Sequence, residues 1–193
     1  EIIKRHANEL AAVLVEPVPS RRPDIAPAGF VQELRRITAE AGTALVFDEV
    51  VLGFRTHPQG AQHLFGISAD LVSYGKVIGG GMPLGVLAGT RRFMDALDGG
   101  EWQYGDDSTP EVGVTFFAGT FIRHPLTMAA ARAVLHRLKA EGPSLQADND
   151  AKASRFVDKL NALFDRLGVP VVVSRYSSLW MLHPEPSLKH FSL

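Results

Sequence analysis

Short apolar runs alternate with amphipathic segments along this chain, and the alternation predicts most of its structure. Continuous apolar runs predict buried strands at 12–15, 44–47, 71–74 and 85–88. Apolar residues at helical spacing predict helices at 1–10, 30–41, 61–65, 126–138 and 156–167. Strands that alternate with helices in this way indicate an α/β fold with a mostly parallel sheet.

The pattern changes near the end of the chain and predicts two domains. Residues 1–143 are interpreted as the central part of a large domain, and residues 144–193 as a linker helix and the start of a small C-terminal domain, with apolar runs at 169–173 and 179–182. Residues 98–113 predict a long loop, a feature that is often functional. The first residue is not Met and lies within a helical pattern, so we expect a fragment of a longer protein.

Composition narrows the classes of function. The chain has 193 residues, with 20 Lys and Arg against 21 Asp and Glu, so neither nucleic acid nor an anionic membrane is expected as the main partner. It has no cysteine, which excludes disulfides and thiol catalysis, and its histidines lack metal-ligand spacing. No apolar run approaches the ~18 residues of a membrane span, and no signal peptide is recognised. We therefore expect a soluble, cytoplasmic protein without a metal.

An acidic residue closes the second predicted strand. An acid at Asp48 is costly to bury unless it meets a cation. Val50 would point to the same side if the extended geometry continues. Such a pair suits a flat aromatic cation, with its ring nitrogen on the acid and its face on the valine. The alternative is a strand-end aspartate that caps a turn.

A lysine follows the third predicted strand. Lys76 precedes three consecutive glycines, 79–81, which release the backbone from Cβ limits and allow close approach to a ligand. A lysine in such a place can be desolvated, which lowers its pKa and makes the amine nucleophilic. The alternative is a surface lysine beside a flexible turn.

A third motif precedes the helix predicted at 126–138. Gly119 and Thr120 can offer backbone N–H groups and a hydroxyl to a phosphate. The alternative is an ordinary loop in which Pro125 occupies the first turn of the helix.

Together and in this order, the motifs resemble those of a known family. They are Glu16-Pro17-Val18, Asp48-Glu49-Val50, Gly75-Lys76 with its glycines, and Gly119-Thr120. The stretch from about 13 to 136 resembles the class III aminotransferases of pyridoxal 5′-phosphate (PLP) fold type I, most closely the glutamate-1-semialdehyde aminomutase branch. Residues 111–120 are similar to aminotransferase domains of polyketide and nonribosomal peptide synthetases.

The resemblance implies PLP as the cofactor and assigns roles to individual residues. Lys76 matches the lysine that forms a Schiff base with PLP and later moves a proton. Asp48 matches the acid that pairs with the ring nitrogen, and Val50 the apolar residue against the ring face. Gly119 and Thr120 match the phosphate-binding pair, in which the threonine reaches across from a neighbouring subunit. A homodimer is therefore implied.

Two departures from the family pattern concern the surroundings of the cofactor. Val51 stands where many relatives have a glutamine at the cofactor's phenolic oxygen, and His124 stands where the family has an asparagine before the proline. His124 is accordingly a candidate for the substrate side, and Glu16, from the first motif, is a second candidate.

The resemblance implies an enzyme that transfers an amino group from a small-molecule donor to a keto or aldehyde carbon. A carrier-tethered β-ketoacyl chain is one candidate acceptor. An intramolecular aminomutase and a non-catalytic α/β binding module remain as alternatives. The family's phosphate-cradling loop and ring-stacking aromatic would lie before Glu1, so this chain is expected to hold only part of the site.

Overall fold

One mixed sheet organises the first half of the chain. The computed structural model describes residues 1–25, 27–103, 105–110 and 113–184. Its main sheet has the strand order β1-β2-β3-β4, formed by Ala12–Val15, Ala44–Asp48, Leu71–Gly75 and Gly85–Gly89. The first three strands are parallel, and β4 pairs with β3 in the antiparallel direction. The predicted α/β fold with a mostly parallel sheet is confirmed.

Helices connect and follow these strands. They are α1 Ile2–Arg5, α2 Ala28–Glu40, α3 Gly60–Phe65, α4 Arg91–Asp98, α5 Pro125–Glu141 and α6 Pro143–Leu167. A 3₁₀ turn, Lys76–Gly79, follows β3, and β5 (Val171–Tyr176) forms an antiparallel hairpin with β6 (Leu179–Pro184). Among the helices of the described ranges, none offers an apolar stretch of the length that crossing a bilayer requires.

Three details of the predicted helices are corrected. The helix predicted at 1–10 ends at Arg5, because the N–H groups of Glu9 and Leu10 both bond to the carbonyl of His6 and close a turn. The helix predicted from 156 begins at Pro143, whose ring suits the first helical position. Helix α4 lies just before the predicted loop and was not predicted at all.

The core lies between the sheet and the helices that cover it. Leu45 and Phe47 of β2 are fully buried, and Val31 and Leu34 of α2 belong to the same cluster. Side chains on both faces of β2 are largely buried near its centre, as expected of a strand in a parallel sheet. The buried β2 therefore fixes where its last residue, Asp48, emerges.

The short helix α3 is held by a buried carboxylate. The side chain of Glu49 is fully buried, and its oxygens accept hydrogen bonds from the backbone N–H of Ala61 at 2.7 Å and of Gln62 at 3.2 Å. Gly60 has φ +74°, and a Cβ there would lie 2.3 Å from Glu49 Oε2. Gly66, which ends the helix at φ +63°, has open space around it. Gly60 is therefore needed both because a side chain would clash with Glu49 and because its φ is positive, whereas Gly66 is needed only for its positive φ.

We therefore predict unequal costs for two glycine substitutions. Gly66→Ala should lower the free energy of unfolding by about 1 kcal/mol, the cost of a left-handed backbone at alanine. Gly60→Ala should cost about 3 kcal/mol, because it adds a clash with a buried carboxylate to the same backbone cost. Urea denaturation of both variants measures the difference, and equal losses would contradict the packing of Glu49 against Gly60.

Candidate active site

Parallel pairing brings three of the predicted residues to one edge of the sheet. Val15 is paired with Phe47 and Asp48 with Ser73, so β1, β2 and β3 end close together. Glu16, Asp48 and Lys76 lie at or just beyond these ends. In open α/β sheets this edge is where ligands bind.

The carboxylate of Asp48 is fixed through one of its two oxygens. Its Oδ1 accepts hydrogen bonds from the backbone N–H of Val50 and from the hydroxyl of Ser73, both at 3.0 Å. No described residue donates to Oδ2. The turn-capping interpretation thus accounts for one oxygen only, and the other can accept a hydrogen bond from a ligand such as a protonated ring nitrogen.

Val50 packs against the backbone that leads to the lysine. A Cβ added at Gly75 would lie 2.9 Å from the carbonyl oxygen of Leu84 and 3.4 Å from Val50 Cγ1. The absence of a side chain at Gly75 therefore lets Val50 lie directly beside the strand end before Lys76. Val50 thus presents an apolar surface at the end of β3. Its place against the face of a cofactor ring stays a prediction.

Lys76 has an unusual backbone and an unpartnered side chain. Its φ is +47°, which for a residue other than glycine costs about 1 kcal/mol or more. The residue is exposed, and its amine makes no hydrogen bond or ion pair with any described residue. Strain of this kind is often found at functional sites. An unpartnered amine on a strained turn is available for covalent chemistry.

The glycines after Lys76 serve packing as well as ligand access. A Cβ at Gly80 would lie 2.9 Å from Val134 Cγ2, so this glycine lets α5 approach the 3₁₀ turn. Gly81, with φ +90°, has open space around it. Gly80 is thus part of the packing that supports the lysine turn, whereas Gly81 is open to solvent or to a ligand.

A cleft of about 1290 Å³ collects most of the predicted site residues. Those that line it are Val50, Lys76, Gly119, Thr120 and His124. Asp48 and Glu16 are not among the lining residues. Glu16 accepts a hydrogen bond from the backbone N–H of Ser20 at 3.0 Å, within the turn after β1. Its role on the substrate side stays a prediction.

The loop that carries Thr120 is a series of tight turns before α5. The N–H of Ile122 bonds to the carbonyl of Gly119 at 3.1 Å, and the N–H of His124 bonds to that of Phe121 at 3.3 Å. A Cβ at Gly119 would lie 3.2 Å from the Ile122 side chain. Pro125 occupies the first turn of α5, as predicted. The hydroxyl of Thr120 makes no hydrogen bond with a described residue and can serve a ligand.

Sequence reasoning missed an aromatic pair in the wall of this cleft. The rings of Phe54 and Tyr74 lie 5.1 Å apart, and both residues line the cleft. Gln62 Nε2 donates to the Tyr74 hydroxyl at 3.4 Å, and burial raises the pKa of that hydroxyl, with the nearby charge of Glu49 adding to the effect. The aromatic character of both residues was the available signal.

Ser73 and Glu49 were also missed. The alternation of side chains along β3, set against the end of β2, would have placed Ser73 beside Asp48. Nothing local in the sequence indicates that Glu49 is buried, because its partners are backbone groups that lie later in the chain.

Comparison with known proteins identifies the family. The model of the family described as aminotransferase class-III matches residues 1–173. A mostly parallel α/β sheet with an acid and a lysine at neighbouring strand ends agrees with this match, and the chain belongs to the class III aminotransferase family.

Individual relatives are similar over most of this chain. It is 38% identical over 180 residues to glutamate-1-semialdehyde 2,1-aminomutase of Hyperthermus butylicus, which covers 93% of the chain and 39% of that protein. The structure of an omega-transaminase from Sphaerobacter thermophilus is 31% identical, with a TM-score of 0.80 over 96% of this chain and 40% of that one. A transaminase with PLP bound is 29% identical, with a TM-score of 0.78 over 94% and 40%.

The chain thus spans about two fifths of the length of the relatives it matches. The predicted similarity to synthetase aminotransferase domains stays a prediction. Part of it depends on Glu111 and Val112, which, like Tyr104 and residues 185–193, lie outside the described residues.

The buried Glu49 predicts a pH dependence of stability. Burial raises the pKa of its carboxyl above the ordinary 4.5, although hydrogen bonds from Ala61 and Gln62 oppose this. Above that ordinary value the unfolded chain releases a proton that the folded chain retains, so stability is lost as pH rises toward the raised pKa. Relative to Glu49→Gln, the wild type should lose about 1.4 kcal/mol for each unit of pKa difference.

Urea denaturation of both proteins between about pH 4 and pH 8 measures this difference. Other titrating groups are common to the two proteins and cancel. Parallel stability curves would contradict an elevated pKa of Glu49.

Proposed function

We propose that the protein of which this chain is part is a PLP-dependent aminotransferase. The observation that carries the proposal is that Asp48 and Lys76 lie at neighbouring strand ends. Oδ2 of Asp48 and the amine of Lys76 make no hydrogen bond with any described residue. Family membership supports it, and so does the similarity to a transaminase with PLP bound.

The donor set fits PLP. Asp48 keeps one oxygen for the ring nitrogen, Val50 offers an apolar surface, and the hydroxyl of Thr120 is free for a phosphate. When bound, the cofactor supplies an electron sink for the charge that develops on the substrate carbon. Asp48, whose carboxylate is oriented by the N–H of Val50 and the hydroxyl of Ser73, would accept a hydrogen bond from the protonated ring nitrogen. Lys76 would hold the cofactor through its amine, and the free amine could carry a proton to or from the substrate carbon.

A homodimer in which Thr120 contributes to the partner's site is part of the proposal. The loop around Thr120 exposes large apolar side chains, with 90% of Phe116 and 80% of Phe121 accessible. Exposed apolar groups this large mark a surface that is covered in the assembled protein. Thr120 and Lys76 of one chain also line a common cleft, so the assignment across the interface stays a prediction.

The acceptor is proposed to be a keto or aldehyde carbon on a small molecule, with a carrier-tethered β-ketoacyl chain as one candidate. The lining of the cleft is mostly apolar, which suits a substrate with an alkyl or acyl portion. The cytoplasmic location also stays a prediction.

Reduction with borohydride tests the cofactor assignment and the rival non-catalytic module. The full-length wild type, incubated with PLP and reduced, should carry a stable adduct on the peptide that contains Lys76, because only an amine bonded to PLP is fixed by reduction. Lys76→Ala should lose the adduct completely. Lys152→Ala, which removes an exposed lysine of α6, should retain it. Peptide mass spectrometry is the measurement, and an adduct that persists in Lys76→Ala would refute the assignment.

An intramolecular aminomutase is the second candidate, since the relative from Hyperthermus butylicus is named glutamate-1-semialdehyde 2,1-aminomutase. With an amino donor and a separate keto acceptor, a transferase should form both products in equal amounts. With glutamate-1-semialdehyde alone, it should show no turnover. Chromatographic detection of the products distinguishes the two activities. Turnover of the semialdehyde alone would show that the protein is an intramolecular aminomutase and would refute the intermolecular proposal.

A further inference from the structure

A second pocket, here called the distal pocket, lies at the edge of the sheet opposite to the candidate active site. It occupies about 240 Å³ and is lined by the C-terminal half of α2, the start of β2, the residue before β3 and the first turn of α4. Because β2 and β3 are parallel, their first residues meet at this edge, whereas Asp48 and Lys76 lie at the other ends of the same strands. Along β2 the two edges are about 13 Å apart.

Two arginines line the distal pocket, and both have hydrogen-bond donors to spare. Nη1 of Arg35 donates to Asp70 Oδ2 at 2.7 Å and to the carbonyl of Ser68 at 3.4 Å, but its Nε and Nη2 make no hydrogen bond with any described residue. The guanidinium group of Arg92 lies 5.2 Å from the ring centroid of Phe93 and makes no hydrogen bond within the described part of the chain. Several N–H groups of the two side chains are therefore available to a ligand.

The one acid of the described lining is already paired. Asp70 Oδ2 accepts a hydrogen bond from the backbone N–H of Leu45 at 2.8 Å as well as from Arg35. Burial acts to raise the pKa of Asp70, but these hydrogen bonds and the charges of Arg35 and Arg92 outweigh burial and lower that pKa. Two arginines and one ionised aspartate leave the described lining with one net positive charge. The pocket is therefore complementary to an anion.

A buried hydroxyl group in the same lining has no partner. Thr43 directly precedes β2 and is 2% exposed, and its Oγ1 makes no hydrogen bond with any described residue. Its backbone N–H, in contrast, bonds to the carbonyl of Thr38 at 3.0 Å. Buried hydroxyl groups are normally paired with protein, water or a ligand, because an unpaired one costs free energy. The hydroxyl of Thr43 is thus a second observation, independent of the arginines, that points to a ligand.

We propose that the distal pocket binds a phosphate group through Arg35, Arg92 and the hydroxyl of Thr43. The three donors belong to different elements, and the oxygens of a phosphate group point in different directions and can accept from several sides. The two oxygens of a carboxylate lie in one plane, which suits a single guanidinium group better. A free phosphate ion and the phosphate group of a small metabolite share this chemistry. The distal pocket is separate from the cofactor site, and the inference does not depend on the proposed aminotransferase function.

Titration calorimetry of the full-length protein with inorganic phosphate tests the proposal. The protein is first saturated with PLP, so that the phosphate site of the cofactor is filled. Arg92→Gln should weaken phosphate binding about tenfold or more, because it removes a charged donor. Arg155→Gln, which removes an exposed arginine of α6, should behave as the wild type. Glycerol 3-phosphate identifies the source of the phosphate group: tighter binding than inorganic phosphate indicates a metabolite, and weaker binding indicates the free ion.

Thr43→Val gives a result that a purely structural role of Thr43 would not give. Valine has nearly the shape of threonine and removes only a hydroxyl group that is unpaired without a ligand, so the Tm in the absence of phosphate should stay unchanged or rise. Phosphate should raise the Tm of the wild type, and this increase should be smaller in Thr43→Val. A lower Tm without phosphate, together with unchanged phosphate affinity, would overturn the assignment of this hydroxyl to a ligand.

Three other results would overturn the proposal. The wild type would fail to bind phosphate, or it would bind phosphate with the same affinity as Arg92→Gln and Thr43→Val, which would place the ion elsewhere. Equal losses in Arg92→Gln and Arg155→Gln would show that only the net charge of the protein matters. The adduct on Lys76 is measured separately, so failure of this inference is distinguishable from failure of the proposed function.

Discussion

The pairing of β2 with β3 is the constraint on which the rest of the site depends. The register sets Asp48 beside Ser73, and the buried side chains of β2 hold that register, since a slip by one residue would turn Phe47 out of the core. With the strands so fixed, the Ser73 hydroxyl reaches the carboxylate of Asp48, and Lys76 begins its turn just past the end of β3. The geometry of the acid and the amine follows from core packing.

Backbone and side chains pack closely behind the site. A Cβ at Gly53 would lie 2.7 Å from both the carbonyl of Glu49 and the ring of Tyr74, and one at Gly75 would meet the carbonyl of Leu84. Phe54, the residue after this tight contact, has φ +59°, and its carbonyl accepts a hydrogen bond from Gln146 of α6 at 2.9 Å. The strained backbones of Phe54 and Lys76 each follow a glycine in close contact with its surroundings, a setting in which such strain can be held.

Sequence reasoning predicted the strands, the fold class and the residues at the strand ends, because these depend on local apolar runs and on polar residues that interrupt them. The order of the motifs then gave the family. Contacts between distant segments could not be predicted this way. The approach of Gly80 to Val134, the cap that Glu49 provides for α3, and the strained backbone of Arg123 depend on three-dimensional neighbours that no spacing in the sequence reveals. The early end of α1 is of the same kind, since competing turn hydrogen bonds decide it.

Two adjacent acids at the end of β2 lie in opposite environments, because successive side chains of an extended chain point to opposite sides. Asp48 faces the sheet edge, where Ser73 and the N–H of Val50 leave one oxygen for a ligand. Glu49 faces the interior, where backbone N–H groups of α3 take the place of water. Replacing the buried acid would remove the cap of α3, whereas replacing Asp48 would remove the oxygen available to a ligand together with the hydrogen bonds from Val50 and Ser73. The Asp-Glu pair therefore combines a functional group and its structural support in two consecutive residues, and a substitution at either one has to be interpreted by the face of the strand it occupies.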